Sequence, residues 1–147
     1  MKFLGLEQKG VYVGAAVTAL ALLVPLSAWV FLPAFVLGPL SGVCVALRSA
    51  SPTRDFRFGA LVGFYSAFYG SIGAIAVQNI ATRWASEELW RYENLYLAPP
   101  MIAELGIDTD SPAAWYLWSA QLAVIAIFAG AIGSPSGVLG IHIWSRE

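Results

Sequence analysis

Charge is scarce in this chain: 12% of its residues are Asp, Glu, Lys or Arg, against 59% hydrophobic ones. A soluble domain carries about a quarter charged residues, so a water-facing surface is excluded for most of this one. Disorder is excluded by the same balance, because disordered chains are poor in apolar residues and rich in charge. Cysteine is nearly missing. Cys44 stands alone, which rules out an internal disulfide and a thiolate metal cluster. Histidine is represented by His142 only, so one chain cannot hold a haem between two histidines. There is no Ser/His/Asp set, no phosphate-binding glycine loop and no metal cluster. Catalysis by this chain alone is therefore not expected, and neither a catalytic residue nor a metal ligand is assigned.

What is present is long apolar sequence, with a mean hydropathy of +0.70. A helix needs about 20 largely apolar residues to cross a bilayer. The first uncharged run, Gly10 to Leu47, would make a straight helix of about 57 Å, so it must double back. Pro33 is the expected corner, since proline removes a backbone donor and disfavours helix in the residue before it. The spans are then about 10–31 and 33–48, with Pro39 kinking the second or turning it re-entrant, and Pro25 bending the first. Arg57 and Arg83 bracket a third span over 58–82. The fourth begins at Asp110-Ser111-Pro112, a capping side chain before a first-turn proline. It is expected to break at Gly133-Ser134-Pro135-Ser136-Gly137, giving a span over 112–132. The predicted fold class is all-α, an integral membrane four-helix bundle in one domain, with three spans and a re-entrant helix as the alternative. Pro25–Ala28 offers no small-x-small cleavage site, so the first helix is expected to be retained rather than removed as a signal.

Charge sorts by segment. Lys2, Lys9, Arg48, Arg54, Arg57 and Arg146 outnumber Glu7, Asp55 and Glu147 at the two ends and in the 48–57 loop. The excursion over 83–111 holds Arg83 and Arg91 against Glu87, Glu88, Glu93, Glu104, Asp108 and Asp110. Basic segments stay cytoplasmic, so both termini are expected in the cytoplasm of a plasma-membrane protein, with the acidic excursion outside. Arg83–Leu97 has an amphipathic pattern that suits either a surface helix or an extension of the third span. Asp108 and Asp110 lack the glycine turn and terminal Glu of a calcium loop.

Glycines recur four apart at Gly10/Gly14, Gly38/Gly42, Gly59/Gly63 and Gly133/Gly137. Such spacing clears a stripe on which two helix backbones can approach closely, so these eight are the expected helix-packing residues. Gln78, Asn79 and Gln121 are the candidate polar pocket, or interhelical hydrogen-bonding groups. Apart from Arg48 at the very end of the second, none of the predicted spans contains an Asp, Glu, Lys or Arg, although coupled transporters usually keep one inside the membrane.

Gly14-Ala15-Ala16-Val17-Thr18, Gly38-Pro39-Leu40-Ser41-Gly42 and Gly59-Ala60-Leu61-Val62-Gly63 appear in an order that resembles an uncharacterised family of small, largely haloarchaeal, multi-spanning membrane proteins. The resemblance covers about residues 9–77. It implies a membrane fold and an archaeal source, and no activity. The long 83–111 excursion departs from the compact hairpins of that family. The expected role is a non-catalytic accessory subunit packed in a larger membrane complex. A self-assembling passive pore for small solutes and a subunit lending a lipid or quinone pocket are the alternatives. Partners are then the bilayer, other membrane subunits or further copies of the chain, with no nucleic acid and no cofactor beyond a bound lipid. Single-cysteine labelling on a Cys44→Ser background should place residue 108 and residue 54 in opposite compartments. Finding both on one side would overturn the expected topology.

Overall fold

In the computed structural model, residues 8–23, 31–48, 55–84, 106 and 111–144 are described. They form four α-helices and no strand: α1 Gln8–Leu23, α2 Phe31–Arg48, α3 Phe56–Trp84 and α4 Pro112–Trp144. The helices begin where the local chemistry permits. Asp55 caps α3, its side chain accepting from the Arg57 N–H at 3.3 Å and its carbonyl from the Gly59 N–H at 3.2 Å, which satisfies donors that a helix start otherwise leaves open. Pro112 is the first residue of α4, where a missing N–H costs nothing.

Several sequence expectations shift. α2 starts at Phe31, so Pro33 lies in its first turn instead of forming the corner, a position that proline tolerates because first-turn N–H groups have no partner within the helix. Pro39 is inside an uninterrupted α2. α3 reaches from Phe56 to Trp84, slightly beyond 58–82 on both sides. The largest correction concerns α4. It does not break at Gly133–Gly137; the helix runs on to Trp144 with Pro135 inside it. The described part of α1 is Gln8–Leu23, and Pro25 lies outside the described residues. So do 85–105 and 107–110, which carry most of the acidic excursion.

Among the described residues, two helices are long and apolar enough to cross a membrane. The qualifying stretches are Phe56–Val77 and Leu122–Trp144, with hydropathies of 1.6 and 2.0. In α4 this stretch is the C-terminal part. α1 and the Pro33–Arg48 part of α2 are apolar but shorter.

α1 packs on α2 and α3, while α4 packs on α3 and α2, and α2 also touches α3. Gly14 lies against Ser66 and Thr18 against Gly70, so α1 and α3 run in the same direction. Pro39 lies against Gly133 and Val43 against Gly140, so α2 and α4 also share a direction, opposite to the first pair. Val11, Val43, Ala46, Phe58, Val62 and Ile141 form a buried cluster, with Leu47 and Tyr65 packed on it.

A proline inside a helix costs about 3 kcal/mol relative to alanine. Tertiary contact on both sides of Pro135 offsets that cost, because Gly133 and Gly137 both press on α3. Pro135 itself is exposed. Pro135→Ala should therefore stabilise the fold by about 1–3 kcal/mol, read as a raised unfolding temperature in detergent. A lowered one would show that the proline is needed to aim the two glycines at α3.

Candidate functional site: two glycine seams

The eight glycines four apart are all buried, and the fold brings them together in two groups. On one seam, a methyl group placed on Gly10 would lie 2.6 Å from the Gly42 carbonyl oxygen and 2.6 Å from the Ala46 Cβ. One placed on Gly14 would lie 2.8 Å from the Gly38 carbonyl oxygen, and one on Gly42 would lie 2.8 Å from that of Gly10. α1 and α2 thus meet main chain to main chain. The second seam joins α3 to α4. A methyl on Gly59 would lie 2.7 Å from the Gly137 carbonyl oxygen, and one on Gly63 would lie 2.9 Å from the Gly137 Cα. Any side chain here would have to push two backbones apart, since a real Cβ does not approach backbone atoms so closely.

Other glycines receive side chains. Gly130 accepts the Phe64 ring, with ring carbons 2.6–2.9 Å from where its Cβ would be. Phe64 and Phe68 stack at 5.8 Å and Tyr65 and Tyr69 at 5.9 Å, each along α3. Edge contacts at 5.5 Å and 5.3 Å tie the two stacks together. Bulk on α3 is therefore matched by absence of bulk on α4. Gly70 faces Thr18, and Gly140 faces Val43 and Leu40. Spacing alone did not single out Gly70 or Gly140, because neither has a glycine four residues away. The only hint for Gly70 is that Thr18 continues the Gly10/Gly14 spacing by one more turn.

Hydroxyls inside the bundle turn back onto their own helices. Thr18 Oγ1 donates to the Gly14 carbonyl at 2.9 Å, Ser41 Oγ to that of Gly38 at 2.7 Å and Ser71 Oγ to that of Ala67 at 2.7 Å. These bonds satisfy a polar group without an interhelical partner. Ser66 is different. It is fully buried, its Oγ has no hydrogen-bond partner among the described residues, and it points between Gly14 and Gly42. An unmade hydrogen bond of this kind costs about 1–3 kcal/mol.

The candidate polar pocket rests on the side chains of Gln78, Asn79 and Gln121, which lie outside the described residues. Cys44 is half-buried and unpaired by any disulfide, and His142 is exposed near the end of α4. Among the described residues, no three His, Cys, Asp or Glu side chains come together to hold a metal. Chemically the seams offer close packing and carbonyl oxygens already used within helices. They present no nucleophile and no acid–base pair. No protein-family model, curated protein or solved structure matches the chain.

Two glycines separate close approach from helix propensity. Gly63→Val should destabilise by at least about 3 kcal/mol, because overpacking a rigid contact forces backbone movement. Gly73 has only the Ala19 Cβ nearby, at 3.8 Å, so Gly73→Ala should be neutral or stabilise by up to about 1 kcal/mol. Thermal unfolding of both in the same detergent checks the pair. Equal tolerance would mean that the seam is not close-packed.

Proposed function

We propose that this chain is a non-catalytic integral membrane protein, an accessory subunit packed within a larger assembly in the plasma membrane. One observation carries the proposal: the distribution of bulk is inside-out. The largest fully buried side chains are Val43, Val62, Thr18, Pro39, Ser66 and Ser71. Large apolar groups face outward instead, among them Tyr12 at 66% exposure, Leu20 at 64%, Phe128 at 66% and Ile127 at 54%. Water-soluble proteins bury such residues. An apolar exterior of this extent needs lipid or another protein against it, and small residues inside are what helices use to associate in lipid.

The described basic side chains support the orientation. Lys9, Arg48 and Arg57 are all exposed, and the parallel and antiparallel helix directions put all three at one pole of the bundle. Cytoplasmic segments collect such charge, so in this proposal that pole and both termini face the cytoplasm and the acidic excursion faces outward. The family resemblance over residues 9–77 enters the proposal as an archaeal source.

A subunit in place of a self-assembled pore is favoured by the hydroxyl geometry. Thr18, Ser41 and Ser71 are spent on carbonyls inside the bundle. Between Leu122 and Ile143, the exposed side chains of α4 are apolar except for His142. Copies meeting through that face would bring together hydrocarbon, and a water path needs polar groups. Extraction of the native membrane in mild detergent should yield the chain in a particle with other membrane proteins. Recovery as a lone monomer would count against the subunit role. Recovery in the soluble fraction would count against membrane residence itself.

A further inference from the structure

We infer that the chain is a duplication of one helical hairpin, its two halves closed by equivalent glycine seams. The first hairpin is α1–α2, and the second is α3–α4. Align Gly10 with Gly59 on the first helix of each, and Gly38 with Gly133 on the second. Gly14 then falls on Gly63, Thr18 on Ala67, Gly42 on Gly137 and Ala46 on Ile141.

Every contact of the first seam reappears in the second under that alignment. Gly10 meets Gly42 and Ala46, as Gly59 meets Gly137 and Ile141. Gly14 meets Gly38, as Gly63 meets Gly133, and Thr18 meets Gly38 as Ala67 meets Gly133. The alignment holds beyond the glycines. Gly38-Pro39-Leu40-Ser41-Gly42-Val43 corresponds to Gly133-Ser134-Pro135-Ser136-Gly137-Val138, sharing the serine and the valine as well. Four residues ahead of each first glycine, Ala34 and Ala129 match and are both buried.

The halves also point the same way: α1 runs parallel to α3 and α2 parallel to α4, as in repeat-built membrane proteins whose halves are parallel. They sit side by side, α1 against α3 and α2 against α4, with α2 also touching α3. The duplication explains why both helix-interior prolines, Pro39 and Pro135, lie within the second-helix glycine pairs. Each pair holds one proline between its glycines, shifted by a single position. The inference needs only the fold, and it survives or fails independently of the membrane and subunit proposals.

A transplant within the full-length chain tests the equivalence. The double variant Ser134→Pro/Pro135→Leu writes the α2 pattern into α4 in the matching register. The control Pro135→Leu/Ser136→Pro moves the proline the other way, onto the position equivalent to Ser41. The reverse transplant, Pro39→Ser/Leu40→Pro, writes the α4 pattern into α2. All are purified in mild detergent and melted. Both transplants should unfold within about 5 °C of the parent, while the control should fall by more than about 10 °C. If both transplants fall as far as the control, or if the control is tolerated as well as they are, the hairpins are not equivalent and the inference is overturned. One transplant failing while the other holds would equally overturn it, because equivalence is reciprocal.

Discussion

Main chain pressed against main chain is the contact on which this bundle depends. Where Gly10 and Gly14 meet Gly38 and Gly42, and Gly59 and Gly63 meet Gly133 and Gly137, no side chain separates the helices. Close approach of this kind gains dispersion contacts along the whole backbone. It also loses little side-chain entropy, since glycine has none to lose. The cost falls on the helices themselves, because glycine weakens a helix by about 1 kcal/mol relative to alanine. Seams of this type are therefore economical only where other forces already hold the helices formed, and a low-dielectric surrounding that leaves no competing water for backbone groups is one such setting.

The other features follow from that contact. With small residues lining the seams, most large apolar side chains turn outward on all four helices, Phe58 and Ile141 being buried exceptions. Hydroxyls within the seams are short enough to fit and bond to the preceding turn, so they add no bulk and leave no donor open at Thr18, Ser41 or Ser71. Prolines survive inside α2 and α4 because the packed glycines beside them hold the helix on course. Phe64 fits because Gly130 gives it a socket. Ser66 is the exception, a buried hydroxyl held at a three-helix meeting point without a partner among the described residues.

Much of the architecture was legible from residue order. Four helices and their approximate limits, with Arg57 at the start of α3, follow from hydropathy, proline and charge. The glycine spacing marked eight residues that the fold gathers into two seams. Legibility failed where a local signal met a tertiary contact. Gly133-Ser134-Pro135-Ser136-Gly137 has the composition of a break, yet the run is helical because its two glycines are docked on Gly59 and Gly63. Pro33 has the look of a corner, yet it lies in the first turn of α2, which begins at Phe31. Gly70 and Gly140 were missed because their partners, Thr18 and Val43, are far away in sequence. The correspondence between the hairpins was also hidden. Only a few residues are shared, and the two connections between paired helices differ greatly in length.

Sequence by itself determined the all-α class of the molecule: helices where apolar runs permit, and stripes without side chains on each of them. Those are local properties, set by the free energy of each residue in its surroundings. Which stripe meets which was decided only in three dimensions. A glycine stripe specifies that something may come close, but carries no complementary feature naming its partner. The pairing of α1 with α2 and α3 with α4, the register of each seam and the parallel setting of the two hairpins arise from shape fit over several turns at once, which no single segment contains.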